Sequence, residues 1–432
     1  MIFIHGGGFD SDSGSEYMYD SSTLCERGVV VVTINYRLGL FGFLSTGDDV
    51  MPGNYGMLDQ VLAMEWVQKH IRVFGGDHNE VTIFGESAGA ASVSLHTISP
   101  LSKDLFKRAI MESGASLSAW AVERPTTLIK ISSFAKMIGE KVNCTQSDSA
   151  EYLTCLRGVD AFSLVVASEE ITKELNVSMI ATPRVETKFG FLPDYPENLL
   201  DKGLFNKVDT LRGYNSGEYS FVIEDDEDNG VTREEFIYFF LKITEKYAFE
   251  NSTIEELQNL VEDQYLKNET NPLALRTQLI RGLTDLLFAL SEALEIDKMS
   301  ANGNPNSKHY LYQFNFIVDN LLELTSYLPD WMGVLHSAEL PMVFVDDSSF
   351  NYAVSTHDQR AVGDLVQTMW TNFAKYGNPT ENGTAIQWAP YSPANHEILY
   401  IDVNSTMTSF PSAHVIPMFN RVLEIIDSKP TS

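Results

Sequence analysis

Residues 81–91, VTIFGESAGAA, constrain this chain more than any other stretch. A short β-branched run meets a serine flanked by glycines, and small helix-forming residues follow. That order reads as strand, sharp turn and helix start, the frame in which a G-x-S-x-G turn presents a nucleophilic serine above a sheet. The turn forces the serine backbone into strain, and a side chain at Gly85 or Gly89 would collide with neighbouring backbone. An accidental match is the bland alternative, and chance supplies roughly 0.1–0.2 such matches in a chain of this length. The strand-to-helix frame separates the motif from an accident, so Ser87 is the candidate nucleophile.

The flanking pattern makes this turn part of a larger sheet. MIFIHGGGF (1–9) reads as a strand running into three glycines, where backbone N–H groups can face a reacting oxygen; a merely flexible turn is the alternative. GVVVVTIN (28–35) is a β-branched run suited to a sheet buried on both faces. Asn54 is placed to cap a helix through about Ile71, with Leu58, Val61, Leu62, Glu65 and Trp66 at helical spacing. A further strand is expected within 106–113. Strands alternating with helices imply right-handed βαβ units, a mostly parallel sheet, and chemistry at the carboxyl ends of its strands. The glycine loop and Ser87 both fall at such ends.

Beyond Thr126 the pattern becomes helical, including 127–141 and 148–157. Cys144 and Cys155 are 11 residues apart, a separation that allows a disulfide closing a small loop. Strands are expected at 208–215, 309–316 and 396–402, and helices at 360–376 and about 411–427. Residues 232–300 read as amphipathic helices, an insertion or cap. The acidic stretch EDDEDNG (224–230) looks like the start of a calcium loop, but Glu227 and Phe236 stand where ligands are needed, so a solvated loop is the better reading.

Composition narrows the function. The 432 residues are 44% hydrophobic, enough for a sizeable core, and no run of 18 apolar residues can span a membrane. A net charge of −29 argues against nucleic acid or anionic membranes as partners. The field could draw a cationic substrate, although keeping the protein dispersed is the simpler role. With three cysteines, no C-x-x-C pair and no H-E-x-x-H, neither metal nor cofactor is expected. Sequons at Asn143, Asn176, Asn251, Asn268, Asn382 and Asn404 suit a secreted, glycosylated surface. Yet no signal peptide precedes the first strand, and an apolar start in mid-sheet suggests a chain lacking its N-terminal segment.

A serine hydroxyl is a weak nucleophile and needs a base, which in turn needs an orienting acid. In a chain order of serine, acid, histidine, the late histidines are His309, His336, His357, His396 and His414. His309 and His396 begin strands, where a core or edge role is the default. His336 lies on a loop among apolar and aromatic residues, which favours it. Glu218, just past the 208–215 strand, is the best-placed carboxylate, a surface glutamate being its alternative.

Together, HGGGF, NYRLGLFGFLSTGD, GNYGMLDQ, FGGD, GESAG, DLFKRAIMESG, GYNSGEYSF and PDWMGVLHSAEL resemble the type-B carboxylesterase/cholinesterase family over essentially the whole chain. The resemblance implies one α/β-hydrolase domain over 1–432, with a mostly parallel central sheet flanked by helices and with helical insertions. It implies Ser87 as nucleophile, Glu218 as acid, His336 as base, and the N–H groups of Gly7, Gly8 and Ala88 as oxyanion hole. Cys144 and Cys155 match a family disulfide, Glu86 a carboxylate beside the nucleophile (filling the elbow is its plainer role), and Trp331 an aromatic near the substrate gorge, with core packing an equal reading. The implied reaction is hydrolysis of a small-molecule carboxylic ester, with no cofactor and with room for a homodimer.

Three departures stand out. Roughly the first hundred residues of a family member have no counterpart, His336 is followed by Ser337 where the family has glycine, and Cys25 has no evident partner. FLSTGDD and LSAWAV look like the neuroligin branch, adhesion proteins that typically lack the serine and carry a membrane-spanning helix. A binding protein with an unused triad is therefore the second reading.

Overall fold

Eight strands form one sheet in the order β2-β1-β3-β4-β5-β6-β7-β8 in the computed structural model, which describes residues 1–177, 180–225, 227–318, 329–344, 356–381 and 384–428. They are β1 (Ile2–Ile4), β2 (Val32–Ile34), β3 (Thr82–Glu86), β4 (Arg108–Glu112), β5 (Asp209–Asn215), β6 (His309–Phe314), β7 (Glu397–Ile401) and β8 (Thr406–Ser409). The first seven pair parallel and only β8 runs antiparallel. With helices on both faces, this is the α/β-hydrolase arrangement.

The period of two along the strands explains why both faces are covered. Ile4, Ile83 and Met111 point into a core under the helices 55–70 and 88–98, while Phe3, Phe84 and Ile110 point into a second core with Trp370 and Phe373. Those last two belong to the His357–Tyr376 helix. It starts in a Thr356/Gln359 capping box and stops at Gly377 in the left-handed region.

Several elements depart from the sequence expectations. The β2 strand keeps only three residues of the 28–35 run, because β1, its one partner, is itself three residues long. The β8 hairpin strand carries no apolar alternation and was not expected. Asn54 does not cap the Tyr55–His70 helix: its backbone is left-handed (φ 60°), and its side chain exchanges two hydrogen bonds with the Arg184 backbone at 2.7 and 2.9 Å. That helix buries Met57, Val61, Met64 and Val67, while Leu62 and Trp66 lie exposed on its outer face and Trp66 stacks near His70 and Phe74. The expected 127–141 helix starts at Ile131, whose N–H donates to Glu123 at 2.6 Å, a cap supplied from eight residues upstream.

Cys144 and Cys155 are disulfide-bonded, with Cα atoms 5.7 Å apart, and Cys25 is exposed and free. Residues 233–302 are a succession of helices. They are pinned to the sheet by fully buried Arg212 of β5, which pairs with Glu292 (3.2 Å) and Glu295. In the acidic stretch Asp225 accepts from the N–H of Asn229 and Gly230 and pairs with Arg276, so this loop is closed by an arginine. Among the described residues no helix is long and apolar enough to cross a membrane.

Candidate active site

Register sets which residues meet at the carboxyl edge of the sheet. Ile4 pairs with Gly85 and Glu86 with Glu112, so β1, β3 and β4 end side by side. Ser87 follows β3 with φ 56° and ψ −123°, a conformation that costs about 1–3 kcal/mol and persists only where neighbours impose it. Its N–H donates to the Glu112 carbonyl and its carbonyl accepts from Ala91, so the residue ends the sheet ladder and starts the helix at once. A Cβ on Gly89 would lie 2.0 Å from the Ile4 carbonyl oxygen, and one on Gly85 would lie 2.5 Å from it. Only glycines let the elbow sit this close to β1.

The glycine loop after β1 is held by Tyr36, whose hydroxyl donates to the His5 carbonyl at 2.9 Å while its ring stacks on His5. Gly7 has φ 86° and its carbonyl accepts from Asp10 and Ser11, folding the loop back over the elbow. Among the described residues the N–H groups of Gly7 and Gly8 have no protein acceptor. The Ala88 N–H is a first-turn donor of the 88–98 helix, with no intrahelical partner by geometry.

Glu218 and His336 come from two loops zipped together. The N–H of Gly217 donates to the Val334 carbonyl (2.9 Å), that of His336 to the Glu218 carbonyl (3.2 Å), and the Ser220 hydroxyl to the Met332 carbonyl (2.7 Å). Asn215 adds a bond to the Leu335 carbonyl at 2.8 Å. Glu218 is fully buried and accepts from Ser113 Oγ (2.5 Å), the Asn215 N–H (2.6 Å) and His336 Nδ1 (2.6 Å). Those three bonds fix the carboxylate, which fixes the ring and turns Nε2 away from Glu218.

That Nε2 lies 3.3 Å from Glu86 Oε1. The Ser337 hydroxyl donates to the same oxygen at 2.6 Å. Ser337 has φ 65°, a left-handed backbone that suits the glycine of the family pattern; here a serine occupies it and holds Glu86. Among the described residues the Ser87 hydroxyl makes no hydrogen bond, so Nε2 faces Glu86 while Ser87 and His336 open onto one cavity. Burial pushes the Glu86 carboxyl up. Burial alone would lower His336, but the carboxylates of Glu86 and Glu218 outweigh it and lift the imidazole to about 9.

The cavity measures about 1820 Å³ and reaches from Gly7, Gly8, Ser87 and His336 out past Trp120, Phe239 and Phe288. Phe288 lies with its ring 4.9 Å from that of His336. Glu86 lines the cavity but Trp331 does not: the Arg276 guanidinium sits 4.2 Å over its ring, tethered by Asp225, so the indole faces an arginine instead of a ligand. Sequence reasoning singled out Ser337 only as a departure from the family pattern, and it missed Ser113, Asn215 and Glu339, whose carboxylate accepts from the Asn215 amide. Ser113 was in view as the end of the MESG segment, but no spacing rule connects it to Glu218, 105 residues away. His309 is buried against Thr210, and His357, His396 and His414 lie away from this edge. The asparagines of five sequons, Asn143, Asn176, Asn251, Asn268 and Asn404, are exposed; Asn382 lies outside the described residues.

Comparison with known proteins identifies the family. The model of the carboxylesterase family matches residues 1–418. Bile salt-activated lipase of Rattus norvegicus is 33% identical over 428 residues, 95% of this chain and 66% of the lipase. The Homo sapiens lipase of that name is 32% identical over 435 residues, covering 95% of this chain and 54% of its own length. Neuroligin-3 of Mus musculus is 31% identical over 431 residues, 93% of this chain and 49% of the neuroligin. The chain thus spans about half to two thirds of the length of these relatives.

Proposed function

Since the chain belongs to the carboxylesterase family, we propose that it hydrolyses carboxylic esters through Ser87, His336 and Glu218. The observation that carries the proposal is the 2.6 Å Glu218–His336 pair, its carboxylate fully buried and its imidazole opening onto the cavity that the strained Ser87 also lines. Ser87 Oγ attacks the ester carbonyl and Nε2 of His336 takes its proton. Glu218 keeps the other ring proton on Nδ1 and stabilises the imidazolium. The N–H groups of Gly7, Gly8 and Ala88 receive the oxyanion, each donor worth roughly a hundredfold in rate. The alcohol departs, and water then attacks the acyl-enzyme by the same route in reverse.

For transfer to begin, Nε2 must turn from Glu86 to Ser87, a tightening that substrate binding often brings. The size of the cavity supports an ester with a bulky apolar group, since drug-sized pockets are about 300–1,000 Å³. Exposed sequons and the disulfide support an extracellular, glycosylated protein. A burst of p-nitrophenol from p-nitrophenyl butyrate, absent in Ser87→Ala, tests the reading; a mutant with the parent rate removes it.

A second reading, a binding protein whose triad is idle, draws on the similarity to neuroligin-3 and on the engagement of Nε2 with Glu86. In that case the folded parent gives no burst.

A further inference from the structure

Acidic groups dominate this chain, yet among the described residues a lysine stands on the wall of the Ser87 cavity without a counter-ion. Lys246 follows the Arg233–Thr244 helix, and its backbone carbonyl accepts from the Leu128 N–H at 2.8 Å, which ties it to the opposite loop. Its ammonium lies 5.2 Å from the centre of the Tyr247 ring. Among the described residues no carboxylate pairs with it.

Besides Asp330, the other charges on the wall are engaged. Lys242 pairs with Glu245, Glu123 accepts from the Ile131 N–H, Asp12 from the Tyr19 hydroxyl, and Glu86 from Ser337. Nearby Arg124 is neutralised by Glu197 and Asp427. Burial, with Arg124 adding repulsion, holds the Lys246 ammonium down at about 8. An arriving anion would relieve both effects.

What surrounds the lysine decides the ligand. Leu283, Leu287, Phe239 and Ile243 line the same cavity, and Ile243 and Leu287 also border a second, apolar recess walled by Phe240 and Leu257. A small inorganic anion would leave these walls wet, and a neutral apolar molecule would leave the ammonium unpaired. We propose that the cavity holds a second ligand site, for a single-headed amphiphilic anion such as a medium- or long-chain carboxylate, with its head on Lys246 and its tail on the apolar walls. The proposal does not require that the chain hydrolyse anything.

The test is calorimetric titration of the full chain carrying Ser87→Ala with decanoate, decanol, acetate and decylammonium at pH 7. Decanoate should bind at least tenfold tighter than decanol or decylammonium, with acetate bound weakly if at all. Lys246→Gln should reduce the decanoate preference over decanol to within about threefold, and Lys246→Arg should restore it. Equal binding of decanoate and decanol to the parent, a preference unchanged in Lys246→Gln, or tighter binding of decylammonium overturns the proposal. Because the titration uses a protein without its nucleophile, loss of the esterase reading leaves the result intact.

Discussion

Replacing Glu86 by glutamine removes a charge and keeps the shape, so it tests how the proton is held at this site. Opposite unit charges 3.3 Å apart attract by ~5 kcal/mol at an effective dielectric of about 20 and by ~1.3 kcal/mol in bulk water. The His336 side chain is 21% exposed on a cavity that admits water, so the lower half of that range applies, about 1–2 pKa units at 1.36 kcal/mol each. The base must be neutral to act. With His336 at about 9, kcat/KM of the parent should climb with pH until near that value. In Glu86→Gln the acid limb should move down by roughly 1–2 units, raising activity at pH 7 by about tenfold to fiftyfold. The stability side has the same sign: the raised imidazole pKa favours folding fully below its ordinary 6.5, and that contribution is lost as pH rises towards about 9. The variant should therefore show a flatter thermal midpoint between these limits. Profiles of kcat/KM against pH for p-nitrophenyl butyrate decide the matter. An acid limb that stays where it is would mean that Glu86 is already protonated, and the ion-pair reasoning would fail.

Other expectations follow from named contacts. Arg212→Met strands the buried carboxylates of Glu292 and Glu295 and should cost about 3–5 kcal/mol in urea unfolding; a loss under about 1 kcal/mol contradicts the pinning role. Cys144→Ser with Cys155→Ser opens an 11-residue link and should cost about 2–3 kcal/mol, while the burst amplitude of the folded protein stays unchanged. Expressed through a secretory route, the chain should carry glycans on several of Asn143, Asn176, Asn251, Asn268 and Asn404. Peptide mass spectrometry before and after glycosidase treatment reads this, and five unmodified sites would remove the extracellular reading.

How much of this was legible in the sequence varies with the physics. The elbow was readable because its demand is local: Gly85, Ser87 and Gly89 must be small or strained for reasons that lie within five residues and one neighbouring strand. The parallel sheet was readable from alternating elements, since βαβ connections leave few topologies. Boundaries were less so, because β2 ends where its partner ends and not where its β-branched run does. Leu62 and Trp66 share the helical spacing yet lie exposed, because that spacing spans two adjacent faces and tertiary packing chose the one with Met57 and Met64. Trp331 shows a different limit: its motif supplies the aromatic but not Arg276, which comes from 55 residues upstream and lies over the ring. Ser113, Ser337 and Glu339 touch the site through contacts that no single-sequence period encodes.

The central claim is that Ser87 is an activated nucleophile. Incubation of the folded chain with a fluorophosphonate, followed by intact and peptide mass spectrometry, measures this without any choice of ester. The account expects one covalent adduct per chain, located on Ser87 and abolished in Ser87→Ala. A folded protein that stays unlabelled, or is labelled elsewhere, contradicts it.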